Sequence, residues 1–139
     1  MFMIAHYRKQ KKLGRVIKVG GVNFWAHEDH SASALAKAGY IVKFVPAHNS
    51  FTTADAYVDN TLFEFKSPEG STVRSIQRNI VRAINHQSAN IVIDSCRMKN
   101  IQDRSIQNFL IARLREGKGI KRLFFVTRDG RLIDINKLV

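Results

Sequence analysis

The chain has 139 residues, 23 of them Lys or Arg against 11 Asp or Glu, for a formal net charge of +12. That length suits one domain, and 45% hydrophobic residues are enough for one core. Runs of about eighteen apolar residues are absent, which excludes a membrane-spanning helix; the start, Met1 to Lys9, lacks the apolar stretch of a secretory signal; and the single cysteine, Cys96, excludes a disulfide framework or a Cys-rich zinc site.

Residues 1–18 hold Arg8, Lys9, Lys11, Lys12, Arg15 and Lys18 and no acid, and are expected to form a basic N-terminal arm. The core is expected over about residues 22–135. Arg15–Lys18 with Gly20, Gly21 and Val22–Trp25 reads as a short strand or hairpin. His27–Ala38 predicts a helix stopped by Gly39. Tyr40–Pro46, rich in β-branched and aromatic residues, predicts a strand. Thr52–Val58 and Thr61–Ser67 predict two strands joined at Asp59-Asn60. Pro68, Glu69 and Gly70 break the pattern. Ser71 is then placed to cap a helix running to about Ser88, with Val73, Ile76, Ile80 and Ile84 at helical spacing. Ile91–Asp94 predicts a short buried strand. Gln102–Glu116 predicts a helix with Ile106, Phe109, Leu110 and Leu114 on one face. Leu123–Thr127 and Leu132–Ile135 flank a turn at Arg128-Asp129-Gly130. This order predicts a single α/β domain over residues 1–139, a central mixed sheet flanked by helices.

Chemistry concentrates in residues 54–66. If Asp59-Asn60 is a two-residue hairpin turn, Asp55 falls directly opposite Glu64, with Cβ atoms about 5 Å apart. Facing like charges repel, and a bound cation removes the penalty. Magnesium suits such a pair, because it takes oxygen ligands and needs few carboxylates from protein. Lys66, two residues beyond Glu64, shares its face, while Phe63 and Phe65 point to the core. Glu28 shares a helical stripe with Ala32 and Leu35, where a carboxylate needs a cation or donors, or simply answers the positive helix start. His27 and His30 are one residue short of the spacing of a zinc-binding His-Glu-x-x-His, so zinc is not expected. Arg74, Arg78 and Arg82 recur every fourth residue, a line of guanidiniums suited to a phosphate backbone. Gln87 continues the spacing of Ile80 and Ile84 and is expected to find a polar task, orienting substrate or metal ligands or satisfying the helix end. His86 is expected at the surface or as a cap, and Cys96 and Trp25 as packing residues.

The run Asp55, turn, Glu64-Phe65-Lys66, between an upstream helix–strand and a downstream helix–strand, resembles the PD-(D/E)XK nuclease superfamily. The segments Ala54-Asp55-Ala56, Leu62-Phe63-Glu64-Phe65-Lys66-Ser67-Pro68 and Asn85 to Asp94 look most like the C-terminal tRNA-nuclease domains of CdiA-type contact-dependent inhibition toxins. Ala54 stands where the pattern has Pro. The resemblance implies an αβββαβ core and a metal-dependent endonuclease, with Asp55, Glu64 and Glu28 around Mg2+ and Lys66 orienting water or stabilising developing charge. By their spacing, Arg74, Arg78, Arg82 and Gln87 are expected on the substrate; the resemblance further implies action in the cytoplasm after delivery and an acidic immunity protein as partner. RNA is favoured, and tRNA on that resemblance alone. A DNA endonuclease of the same superfamily and a non-catalytic basic nucleic-acid-binding module are the alternatives.

Overall fold

The structure, a computed structural model, describes residues 14–18, 26–44 and 55–139. Its elements are β1 (Arg15–Lys18), α1 (Ala26–Lys37), β2 (Ile41–Phe44), β3 (Asp55–Val58), β4 (Thr61–Lys66), α2 (Val73–Asn85), β5 (Asn90–Asp94), α3 (Asp103–Arg115), β6 (Arg122–Val126), β7 (Leu132–Asp134) and a 3-10 turn, Ile135–Leu138. The order helix, three strands, helix, strand expected over residues 27–94 is present.

All seven strands form one mixed sheet, in chain order from β1 to β7. β1 pairs with β2 in parallel, β2–β3 and β3–β4 are antiparallel, β4–β5 and β5–β6 are parallel, and β7 closes antiparallel on β6. Strand alternation divides the core in two. On one face Val42, Phe44, Ala56, Val58, Phe63, Phe65, Val92, Phe124 and Val126 pack under Ala32, Ala34 and Leu35 of α1. On the other, Ile91, Ile93, Leu123 and Phe125 pack under Ile76, Ile80 and Ala83 of α2 and Ile106 and Leu110 of α3. Asp59 and Asn60 have φ of 46° and 69°, the two left-handed residues of a type I′ hairpin, whose twist matches that of the strands. α1 ends where Gly39 takes φ 102°, a conformation that costs glycine little.

Arg15–Lys18 is an edge strand of the sheet, in keeping with its reading as a short strand; residues 1–13 of the basic arm, and Val22–Trp25, lie outside the described residues. Two expectations are corrected. Ser71 is not the cap of α2. Thr72 occupies that position without a side-chain bond, and Ser75 inside the helix donates instead to the Glu69 carbonyl. The helix stops at Asn85, before Ser88, because Gln87 turns left-handed at φ 63° and donates its N–H to the Ile84 carbonyl.

Phe124 ties the sheet together. Its ring lies 5.3 Å from both Phe63 and Tyr40, and it is fully buried. Phe124→Ala should cost about 3–5 kcal/mol, the usual range for a buried aromatic. Urea unfolding of the purified variant measures it, and a loss below about 1 kcal/mol would show that the two aromatic contacts are not structural.

Candidate active site

The register of the hairpin is the one the sequence predicts: Asp55 opposite Glu64, Ala56 opposite Phe63, Tyr57 opposite Leu62 and Val58 opposite Thr61. Glu64 pairs onward with Ile91 and Lys66 with Ile93, so both lie on the face covered by α2. β4 is exposed at Thr61 and Leu62 and buried from Phe63 to Lys66. The reason is that α2 covers only the second half of the strand. Glu64 is 3% exposed and Lys66 7% exposed.

These two charges are close but incompletely paired. Lys66 Nζ is 3.7 Å from Glu64 Oε2, beyond hydrogen-bond range. The exposed His86 places Nδ1 3.3 Å from Glu64 Oε1. Glu64 Oε2 is buried and accepts no hydrogen bond. A buried carboxylate oxygen in that condition is costly. A divalent cation with a preference for oxygen suits such an oxygen, and Asp55 is the register partner of Glu64 across the hairpin.

α2 reaches this pair end-on. Arg74, Arg78 and Arg82 are exposed, as a phosphate-binding line requires. One more step of four residues is His86, the C-cap, which touches Glu64. The arginine line therefore ends at the Glu64 carboxylate. Gln87 follows it at the surface rather than in the buried row with Ile80 and Ile84, because the helix has already ended. The contact of His86 with Glu64 was not legible in sequence, although its place at the end of the four-residue series was available.

Glu28 is buried in the first turn of α1, on the stripe with Ala32 and Leu35. α1 covers the face of the sheet opposite to Glu64 and Lys66, so the structure does not bring Glu28 against that pair through the sheet. Burial, with the Arg97 guanidinium second, pushes the neighbouring His27 imidazole down, towards its neutral form.

Sequence reasoning missed Asp94. At the end of β5 it is 0% exposed and accepts from Ser31 Oγ at 2.6 Å and from the Cys96 N–H at 2.9 Å. His30 Nδ1 lies 2.7 Å from the same carboxylate, and His30 Nε2 lies 3.0 Å from the Arg128 carbonyl oxygen. The chain thus ties α1, β5 and the β6–β7 turn together through one buried carboxylate. Ligand atoms of His30, Asp94 and Cys96 also come within 4.8 Å of one another. Their hydrogen bonds already account for that proximity. Burial first, and then the Asp94 charge, push the Cys96 thiol up to about 12.

Two outcomes are expected. Asp94→Ala, which strands three donors in a buried site, should cost about 3–5 kcal/mol in chemical unfolding; a near-neutral change would mean that the network is incidental. Cys96 should be almost unreactive towards a disulfide reagent at pH 8 in the folded protein, since its thiolate forms only towards pH 12, and should react fast once urea is added. Equal rates in the two states would contradict the raised value.

The sequence and the fold were compared with those of known proteins. Among curated proteins none matches the sequence. In structure the chain is similar to a CdiA-CT/CdiI toxin and immunity complex from Burkholderia pseudomallei, at 19% identity and a TM-score of 0.61, over 86% of this chain and 94% of that one. At that identity the likeness speaks for the fold. The contact-dependent growth inhibition CdiA C-terminal domain family matches residues 52–132, from just before β3 to the start of β7. That is more than half of the sequence, and it spans the hairpin, the arginine line and the Asp94 strand: the chain belongs to the CdiA C-terminal domain family of contact-dependent growth inhibition toxins.

Proposed function

We propose that this toxin domain is a metal-dependent endonuclease that hydrolyses phosphodiester bonds in RNA, with tRNA as the expected substrate class. The observation that carries the reading is Glu64: a buried carboxylate with one oxygen that accepts no hydrogen bond, beside Lys66, opposite Asp55 and at the end of the arginine line.

Asp55 and Glu64 would hold a divalent ion such as Mg2+ through oxygen ligands. When bound, such an ion polarises a phosphate oxygen and acidifies a water. The chain's own residues supply the rest. Lys66, short of a full bond to Glu64, has donors to offer a reacting phosphate whose charge grows. Arg74, Arg78 and Arg82 would hold the neighbouring phosphates, and Gln87 extends the same end of the helix to the substrate. Attack by water leaves the RNA 2′-hydroxyl without a chemical task, so DNA is the natural control substrate. RNA and tRNA are favoured by the likeness of the hairpin and helix sequence to tRNA-nuclease domains. The similar structure is a toxin and immunity complex, and for this domain of net charge +12 we infer an acidic immunity protein, drawn by charge, as partner. Its site of action would be the cytoplasm of the target cell.

The test is incubation with total RNA and with plasmid DNA, each with Mg2+ or with EDTA. Cleavage of RNA is expected with Mg2+ and none with EDTA. Asp55→Asn and Glu64→Gln should abolish it and leave the fold intact, since each removes one of two repelling carboxylates. Lys66→Ala should bind nucleic acid nearly as wild type and turn over roughly a hundredfold slower. Arg74, Arg78 or Arg82 to Gln should each weaken binding and reduce the salt slope by about one. Wild-type cleavage by Glu64→Gln, or in EDTA, would sink the mechanism.

A further inference from the structure

Among the described residues, no helix covers the face of the sheet that carries Glu64 over β1 to β3. Ile17 pairs with Lys43, Lys43 with Tyr57, and Tyr57 with Leu62, so these four stand in one row across β1 to β4. The row is two residues from Asp55 and Glu64 along β3 and β4, and strand alternation puts both rows on one face. Helices α2 and α3 cover this face only over β5, β6 and the far half of β4. Tyr57 is 39% exposed and Leu62 46% exposed, while Ala56, Val58 and Phe63 between them are buried against α1. Ile17 and Ile41 are exposed on the same face, and Arg15, the register partner of Ile41, is exposed with them. Exposed apolar residues gathered on one face, with a lysine among them, mark a candidate binding surface.

We propose that this face is a platform on which an unpaired nucleobase of the substrate stacks, Tyr57 offering the ring and Leu62 the flank, so that the domain cuts at single-stranded positions. The inference rests on the nuclease reading and adds to it the class of site that is cut. Three observations favour a nucleic-acid strand as the occupant. The Tyr57–Leu62 row is continuous with the Asp55–Glu64 row and about 7 Å from it, two residues of strand rise, within reach of one nucleotide step from a phosphate at Glu64. Lys43 stands directly beside Tyr57 in the row, and Arg15 lies beyond it, so the apolar surface is rimmed by cations that attract phosphates. A single exposed aromatic ring on a sheet suits a base face, and a base still stacked in a duplex cannot present one.

The experiment uses the full chain carrying Glu64→Gln, to prevent cleavage, and fluorescence anisotropy with a labelled short single-stranded RNA and with the duplex of the same sequence. The single strand should bind more tightly than the duplex. Adding Tyr57→Leu, which keeps an apolar strand residue but removes the ring, should weaken the single strand roughly ten- to a hundredfold and leave the duplex unchanged. Tyr57→Phe should keep the affinity and Tyr57→Trp should raise it, so the outcome does not hang on one variant. If the Leu and Phe variants bind alike, or the duplex binds as tightly as the single strand, the platform is wrong and the nuclease reading stands. If neither RNA binds at all, both fall. Loss of binding to a protein partner, with RNA affinity intact, would assign the face to a protein interface and overturn the proposal.

Discussion

The register of the β3–β4 hairpin decides which side of the sheet each charge of the site occupies. Side chains alternate along a strand, so a slip of one residue would drive Phe63 and Phe65 towards α2 and send Glu64 and Lys66 into the aromatic core under α1. The two left-handed turn residues, Asp59 and Asn60, hold the register from one end. Phe63 stacked on Phe124, and Phe65 edge-on to Phe44, hold it from within. The apolar half of the strand therefore enforces the position of the polar half, and the arrangement of Glu64, Lys66 and Asp55 is a consequence of core packing on the other face.

The two faces of the sheet are treated unequally, and the site lies where that inequality changes. α1 covers one face across β2 to β6. α2 and α3 cover the other only over β5, β6 and the end of β4, so β1 to β3 show Ile17, Lys43 and Tyr57 to solvent. Glu64 is at the boundary, dry enough for its charge to be strongly felt and one row from water. A carboxylate deeper under α2 would be inaccessible to a polymer substrate. One further out on β4, at the position of Leu62, would be fully hydrated and weak. The C-terminal end of α2 falls on this boundary too, which brings the arginine line to it.

Much of this was legible in the sequence because it depends on local rules. Gly39 ends α1, the apolar stripe of α2 starts at Val73, and Asp59-Asn60 sets the pairing of Asp55 with Glu64; each is read from a window of a few residues. What was not legible depends on distant partners. Arg15–Lys18 reads as a short strand, but its partner, β2 some twenty-six residues on and parallel to it, lies outside any local window. Asp94 looks like the polar end of a strand, since its donors Ser31 and His30 are 63 and 64 residues away. Ser71 had the right chemistry for a cap, but the chain turns one residue later, and the hydroxyl that matters is Ser75. Gln87 followed the helical period on paper, while the left-handed turn that ends α2 removes it from that row.

Two buried carboxylates on neighbouring strands show how structure separates a strut from a reactive group. Asp94 and Glu64 are almost equally hidden. Asp94 has its needs met within the protein, by a hydroxyl at 2.6 Å, a backbone N–H at 2.9 Å and an imidazole at 2.7 Å. A cation at that position would have to break bonds that hold α1 to the sheet. His30 has both ring nitrogens within hydrogen-bond distance of an oxygen, one on Asp94 and one on Arg128. Glu64 has an exposed imidazole at 3.3 Å on one oxygen and an ammonium at 3.7 Å from the other, neither of them a strong bond. Satisfying Asp94 stabilises the fold, whereas Glu64 keeps one buried oxygen that accepts no hydrogen bond.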